Sequence, residues 1–386
     1  MKSDYEHLKT ELQHELIRLA DFWISNCIDY QNGGFVSELD NENLVRQNSS
    51  KGVILNTRIL WGFSAISNHL KTQEYKAICE RSFTYLKKFN DNVHKGLYWE
   101  LNHKGHVLDS TKNSLAQAHA IYALSEYYLF SRNEEAKLWA IEIFETIESN
   151  AKLKTGLGYL DNFNEIWHPT SPNPNTKRLG THIHFLEAYT SLLKIHQSQA
   201  LKNSIKTIIE TILTRFLHKD FYFETIMDVD WNPVSEHVSF GHNAEVSWIL
   251  VEAAQALNDP ILIKQTELTL IDVTNKLITE AITNLGSVLH KRTVETNKTD
   301  TNILWWTQTE ALIALFYANS IQPNNDIYIK VSIKIWEFIK EYFINHTYGE
   351  WYALLDSNGN PNPKEYKVGM WKSLYHNARL CIKLNK

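Results

Sequence analysis

The chain repeats itself. A phrase made of a glycine turn, a few alternating aromatic and polar residues and a second Asn/Asp/Gly turn recurs along it. It reads NGGFVSELDNEN from Asn32, KGLYWELNHKG from Lys95, TGLGYLDNFNE from Thr155 and KDFYFETIMDVD from Lys219. It returns as LGSVLHKR from Leu285 and YGEWYALLDSNGN from Tyr348. With Gly33, Gly96, Gly156, Phe221, Gly286 and Gly349 as markers, the steps are 63, 60, 65, 65 and 63, so six units span nearly all 386 residues. A fixed period of this length is the signature of a repeat architecture.

Each phrase has the turn chemistry of a short hairpin or extended loop. Between phrases lie two helical patterns. The first is amphipathic, with Leu8, Leu12, Leu16, Leu19 and Trp23 on one side and Lys and Glu on the other. The second is poor in charge and rich in small and aromatic residues: NTRILWGFSAI, AQAHAIYALSEYY, THIHFLEAYTSLL, GHNAEVSWILVEAA, WWTQTEALIALFYA and LYHNARLCIKL. A helix apolar on most sides must be buried. One outer and one inner helix per unit, six times over, predicts an all-α (α/α)6 barrel with the hairpins at one mouth. It forms a single catalytic domain over residues 1–386. An open solenoid fits less well, because it needs no buried inner ring.

Composition narrows the function. The net charge is −5 with no long basic run, so the electrostatic footprint of a nucleic-acid binder is missing. No segment has the roughly 20 apolar residues that span a bilayer, and the charged N-terminal stretch lacks a signal peptide's apolar core. Three scattered cysteines, Cys27, Cys79 and Cys381, point to reduced thiols. A cytoplasmic protein acting on a small molecule, as monomer or homodimer, is expected. The 12 Trp, 18 Tyr and 16 Phe exceed what a core ordinarily asks for, and suit a site that stacks on flat apolar faces such as sugar rings.

The starts of the six inner helices converge on the mouth. Their occupants are Arg58, Gln117 and His119, His182 and His184, His242 and Glu245, Trp305, Trp306 and Glu310, and His376 and Arg379. His182 and His184 lie two apart and point to different sides of a helix. His184 is taken as the active one, and His119 as packing. Histidines gathered at one mouth suit zinc binding or acid–base work near neutral pH. A HxH metal pair normally sits on a strand, so proton transfer is preferred and no metal is expected. A glycosidase needs a carboxyl pair, for which Glu245 and Glu310 are available.

These residues and several long stretches resemble the N-acylglucosamine 2-epimerase superfamily, most closely its cellobiose 2-epimerase branch. The stretches are GVILNTRILWGFSA, DWNPVSEHVSFGHNAEVSWILVEAA, WWTQTEAL, GEWYALLDSNGNP and VGMWKSLYHNARLCIKL, in that order over nearly the whole chain. The resemblance implies cofactor-independent epimerisation at C2 of a reducing-end aldose, through ring opening and a cis-enediolate. It implies catalytic roles for His242, His376, His184 and Arg58, and sugar contacts at Glu245, Trp248, Trp306, Glu310 and Trp371. The same site accommodates mannose 2-epimerisation or aldose–ketose isomerisation. A sugar-binding protein without turnover and a glycoside hydrolase are the readings from other classes. Two positions depart from the family pattern: Leu115 where Tyr is usual, and Gly180 where Asn is usual. The segment running up to Gly180 also differs, which leaves the sugar's identity open.

Overall fold

A computed structural model describes residues 2–154, 157–170 and 176–385; the side chains of Lys2 and Ser3 are not described. Twelve α-helices are present among them. The outer series is α1 (Lys2–Asn26), α3 (Lys76–Leu86), α5 (Glu134–Asn150), α7 (Gln199–Thr211), α9 (Pro260–Glu280) and α11 (Ile327–Phe338). The inner series is α2 (Val53–Leu70), α4 (Ser114–Ser131), α6 (Leu179–Leu193), α8 (Phe240–Leu257), α10 (Trp305–Ile321) and α12 (Tyr375–Leu384).

The apolar stripe of α1 is buried as its spacing requires, with Leu12, Leu16, Leu19 and Trp23 fully inaccessible. The inner helices are buried all round, and α2 is continuously covered from Val53 to Ser67. Two begin on a side-chain cap: Asn113 accepts from the Ala116 amide, and Ser239 from that of His242. Lys71, Arg132 and Asn258 end α2, α4 and α8 in the left-handed conformation that closes a helix.

Every inner helix packs on both of its inner neighbours, from α2 through α4, α6, α8 and α10 to α12, and α12 returns to α2. The ring is closed. The outer helices lie around it, with α1 against both α11 and α12. The fold is the expected (α/α)6 barrel.

The repeated phrases are the hairpins at the mouth, each with one equivalent bridge: Ile28–Phe35, Asn90–Leu97, Lys152–Tyr159, Leu217–Phe223, Ile282–Val288 and Ile344–Trp351. Gly156 lies outside the described residues, and the glycine preceding the bridge in unit three is Gly158, as Gly34 and Gly96 precede theirs. In unit four, Phe221 takes the left-handed turn conformation without a glycine, at φ 58°.

The strand before each inner helix then pairs with the hairpin of the next unit. Lys51–Gly52 joins Glu100–Leu101, Lys112–Asn113 joins Asn162–Phe163, and Lys177–Arg178 joins Ile226–Met227. His237–Ser239 joins Lys291–Thr293, Ile303–Leu304 joins Leu354–Leu355, and a Leu39–Val368 bridge closes the circle. The hairpins thereby fix where each inner helix starts.

Ends of the chain meet at Glu350. Its Oε2 accepts from Trp23 Nε1 of α1 at 2.7 Å, and its Oε1 from Lys372 Nζ and Asn377 Nδ2, each at 2.8 Å. Glu350→Ala would leave the Lys372 ammonium buried without its carboxylate. A loss of about 3–5 kcal/mol in stability is expected, read by chemical denaturation; a wild-type midpoint would refute this account of ring closure.

Candidate active site

Counting along each inner helix brings the mouth residues into layers. The fourth residue is Asn56, Gln117, His182, Asn243 or Gln308 in α2 to α10, and Asn377 comes third in α12. Three of the amides clamp the hairpins: Gln117 bonds both the N–H and the carbonyl of Leu97, Gln308 those of Val288, and Asn243 accepts from the Phe223 N–H. His182 occupies this layer. Its Nδ1 sits 2.8 Å from the Arg178 carbonyl, its ring packs against Phe216 and Trp231, and burial lowers its pKa to about 4. It is a neutral packing group.

The sixth residue is Arg58, His119, His184, Glu245 or Glu310, and the fifth of α12 is Arg379. All are buried. Arg379 is their hub. Its Nη2 donates to Glu245 Oε1 at 2.6 Å and to Glu310 Oε1 at 2.7 Å, and its Nη1 to Glu187 Oε1. Burial works against the charge on Arg379, but the carboxylates and Tyr375 outweigh it and raise its pKa further. Glu245, Glu310 and His376 offer three donor atoms within 4.8 Å, as a metal site would. The Arg379 guanidinium already bridges the two carboxylates, so the set is compensated by protein.

His376 stands above this cluster with Nδ1 2.7 Å from Glu310 Oε1. Glu310 accepts in that contact, so Nδ1 carries the proton and Nε2 keeps its lone pair. His242 is held by Ser239 Oγ at 2.8 Å from Nδ1. Burial, the largest influence on each imidazole, lowers both pKa values, that of His376 far more; the charges of Arg379 and Arg58 push His376 the same way, while Glu245 opposes in both. One indole lies beside the two histidines: the Trp306 ring is 5.0 Å from His242 and 5.9 Å from His376. Arg58 donates to the Trp371 carbonyl at 2.6 Å and stacks 4.8 Å from the Tyr375 ring centre.

Several expectations shift. Trp248 was expected to touch sugar, but it is 1% exposed and donates to Glu310 Oε2 from behind. Glu310 likewise has both oxygens engaged by His376, Arg379 and Trp248, so it supports His376 and leaves no free edge for a ligand. Glu245 is tied to Arg379. His119, read as packing, is in the polar layer, with its ring 4.6 Å from that of His184 and Nε2 3.4 Å from Arg58. Arg379 was placed at the mouth by the sequence but given no role there, and Glu187 and Tyr375 were not singled out.

A cleft of about 480 Å³ opens onto His242, and Leu115, Gly180, Arg178, Lys291 and Trp371 line its walls. Both departures from the family pattern therefore fall in the wall. Trp371 is 48% exposed at the rim and packs on Trp99.

Known proteins resemble this chain in sequence and fold. The family model for N-acylglucosamine 2-epimerase (GlcNAc 2-epimerase) matches residues 33–379. The chain belongs to the N-acylglucosamine 2-epimerase family. Within the family, a cellobiose 2-epimerase of Bacteroides fragilis is 33% identical, with 98% of this chain and 99% of that protein aligned. The solved structure of a cellobiose 2-epimerase from Bacillus thermoamylovorans superposes with a TM-score of 0.91 at 29% identity, covering 99% of each chain. A D-mannose isomerase structure shares the fold with a TM-score of 0.88 at 21% identity, covering 97% of each chain.

Two glycines at the same helical position separate packing from site. A Cβ on Gly180 meets nothing within 4 Å, whereas one on Gly241 would lie 2.5 Å from the Trp306 ring. Gly180→Ala should be neutral or stabilising by about 0.5–1 kcal/mol. Gly241→Ala should displace Trp306 from the histidines and depress activity. Thermal unfolding and turnover of both variants, compared with wild type, check this; equal behaviour would refute it.

Proposed function

We propose that this member of the family is a sugar 2-epimerase, an isomerase that inverts C2 of a reducing-end aldose of the glucose/mannose configuration without a cofactor. The whole chain is read as one catalytic unit working in a reducing compartment, consistent with its free, buried thiols. Among the described residues no helix is long and apolar enough to cross a membrane. The observation that carries the proposal is the placement of His242 and His376 beside one indole, with Arg58 in the same buried layer as Glu310, the carboxylate that holds His376. The names of the cellobiose 2-epimerase relatives support a reducing disaccharide such as cellobiose as the preferred substrate.

The proton sequence balances on these residues. His184, protonated, gives its proton to the ring oxygen as the C1–O5 bond breaks and the electron pair moves to O5. One of His242 and His376 takes the O1 proton, leaving the open-chain aldehyde. The other, neutral, removes the C2 proton, and the electron pair flows through C1–C2 to O1. Arg58 stabilises the enediolate oxygen. The imidazole protonated during ring opening then returns a proton to the opposite face of C2. Ring closure reverses the first step: O5 gives its proton back to His184, and O1 takes the one drawn from C2. Delivery to C1 in place of C2 would yield a ketose, the product of an isomerase. Trp306 and Trp371 supply apolar faces for the sugar.

His242→Ala and His376→Ala should each lose activity by about 10²–10⁴-fold. Wild-type product formed from cellobiose or mannose in D2O should carry deuterium at C2. Chromatography and NMR read both; full activity in either variant, or no deuterium, would overturn the assignment. Arg58→Ala should raise the barrier by roughly 2.7–4 kcal/mol.

A pH profile adds a further check. The pKa values of both imidazoles are lowered, so they stay neutral as pH falls past the ordinary histidine value of about 6.5. The acid limb of kcat/KM should accordingly lie below that value, since activity is lost only as pH drops through the depressed pKa. A limb above it would contradict the role of neutral base.

A further inference from the structure

Glu187 sits one turn beyond His184 on α6 and is 6% exposed. Its Oε1 accepts from Arg379 Nη1 and its Oε2 from the Tyr375 hydroxyl at 2.7 Å. The same Oε2 lies 3.5 Å from His184 Nδ1, which is buried and has no hydrogen-bond partner. A buried, unpaired ring nitrogen is costly unless a partner closes on it, and hydrogen bonds at a site often tighten only when substrate is bound. Among the described residues, Glu187 is the one carboxylate within ion-pair distance of His184.

We propose that Glu187 is a positioning residue, holding His184 with Nδ1–H toward its carboxylate and leaving Nε2 for the sugar. An ionised carboxylate only accepts, so the nitrogen facing it must carry hydrogen. Burial opposes ionisation of Glu187, but Arg379 and the His184 and Tyr375 contacts outweigh it and bring its pKa down to about 2. The carboxylate also stabilises the imidazolium of His184, the form that donates to the ring oxygen.

Other groups around His184 do not substitute for it. On α4, His119 is held neutral, chiefly by burial. On α8 and α12, His242 and His376 are neutral imidazoles whose proton affinity His184 itself helps to lower. Arg58 of α2 reaches the group through His119, and Tyr375 and Arg379 of α12 through Glu187; Glu245 of α8 is bound to Arg379. Glu187 thus links the Arg379 cluster to the histidine at the mouth.

The inference rests on the epimerase reading for His184 as the ring-opening acid, but its test does not depend on turnover. Full-length protein labelled with 15N-histidine is followed by long-range 1H–15N NMR, with the His184 signals assigned by their loss in His184→Gln. Wild type should show the Nδ1–H tautomer when neutral. In Glu187→Gln, the Nε2–H form should appear and the titration midpoint of His184 should fall. Turnover should drop on the order of ten- to a hundredfold, mainly in kcat, with the basic limb of the profile moved to lower pH. Glu187→Asp should restore part of each change.

An Nε2–H tautomer in wild type overturns the proposal, even if Glu187→Gln does not fold. So does a folded Glu187→Gln with the wild-type titration and kcat. A wild-type protein with the expected tautomer but no action on any aldose would instead sink the epimerase reading alone.

Discussion

One guanidinium ties the centre of the barrel together. Arg379, on the last inner helix, reaches Glu187 on α6, Glu245 on α8 and Glu310 on α10. Four of the six inner helices thus share a single buried cation. Burying these charges carries a desolvation cost that their attraction does not guarantee to exceed, so the cluster is better understood as fixing register than as adding stability. Slippage of any one helix by a residue would leave a carboxylate without its donor in a dry interior. The planar fork of Arg makes this possible, since three carboxylates at different angles need several donors with fixed directions. A lysine would supply the charge but not the geometry.

The same cluster sets the protonation of the groups above it. Three carboxylates, Glu187, Glu245 and Glu310, face two guanidiniums, Arg58 and Arg379, in one buried layer. With all histidines neutral, that layer carries one negative charge, which one imidazolium would neutralise. His376 shares Glu310 with Arg379, whose positive charge works against a second cation there. His184 lies against Glu187, with Nδ1 3.5 Å from its Oε2. Burial keeps His242 and His376 neutral, which is the state that the proposed proton sequence asks of its two bases.

Much of this was legible in the sequence because the repeat imposes its period on residues whose chemistry is distinctive. Six hairpin phrases and two alternating helix types were enough for the barrel, and the histidines near the inner-helix starts were enough for the mouth. Finer placement needed the register of each helix as well as local spacing. His182 and His184 look equivalent in THIHF, yet counting from each helix start puts His182 with the amides that clamp hairpins and His184 with the charged layer. Trp248 and Glu310 resembled ligand contacts because aromatic and acidic residues at a mouth usually are. Their mutual hydrogen bond, made across two helices 62 positions apart, has no trace in either helix alone. Glu187 was missed for the same reason, because its partners come from α12.

The buried charged layer and the cleft wall occupy different parts of the same repeat. The charged layer is carried on helices whose starts are pinned by inter-unit strand pairs and side-chain clamps, so its geometry tolerates little change. The cleft walls are the strands and loops above it and the first turns of α4 and α6, where Leu115 and Gly180 depart from the family pattern. Gly180 leaves open space, and Leu115 presents an apolar side chain. Neither belongs to the Arg379 cluster or contacts His376. Under the proposed function, changes of residue here would alter the room and polarity offered to the distal part of a sugar and leave the buried charged layer as it was. Such a separation would let one barrel keep a single reaction and vary the molecule that enters it.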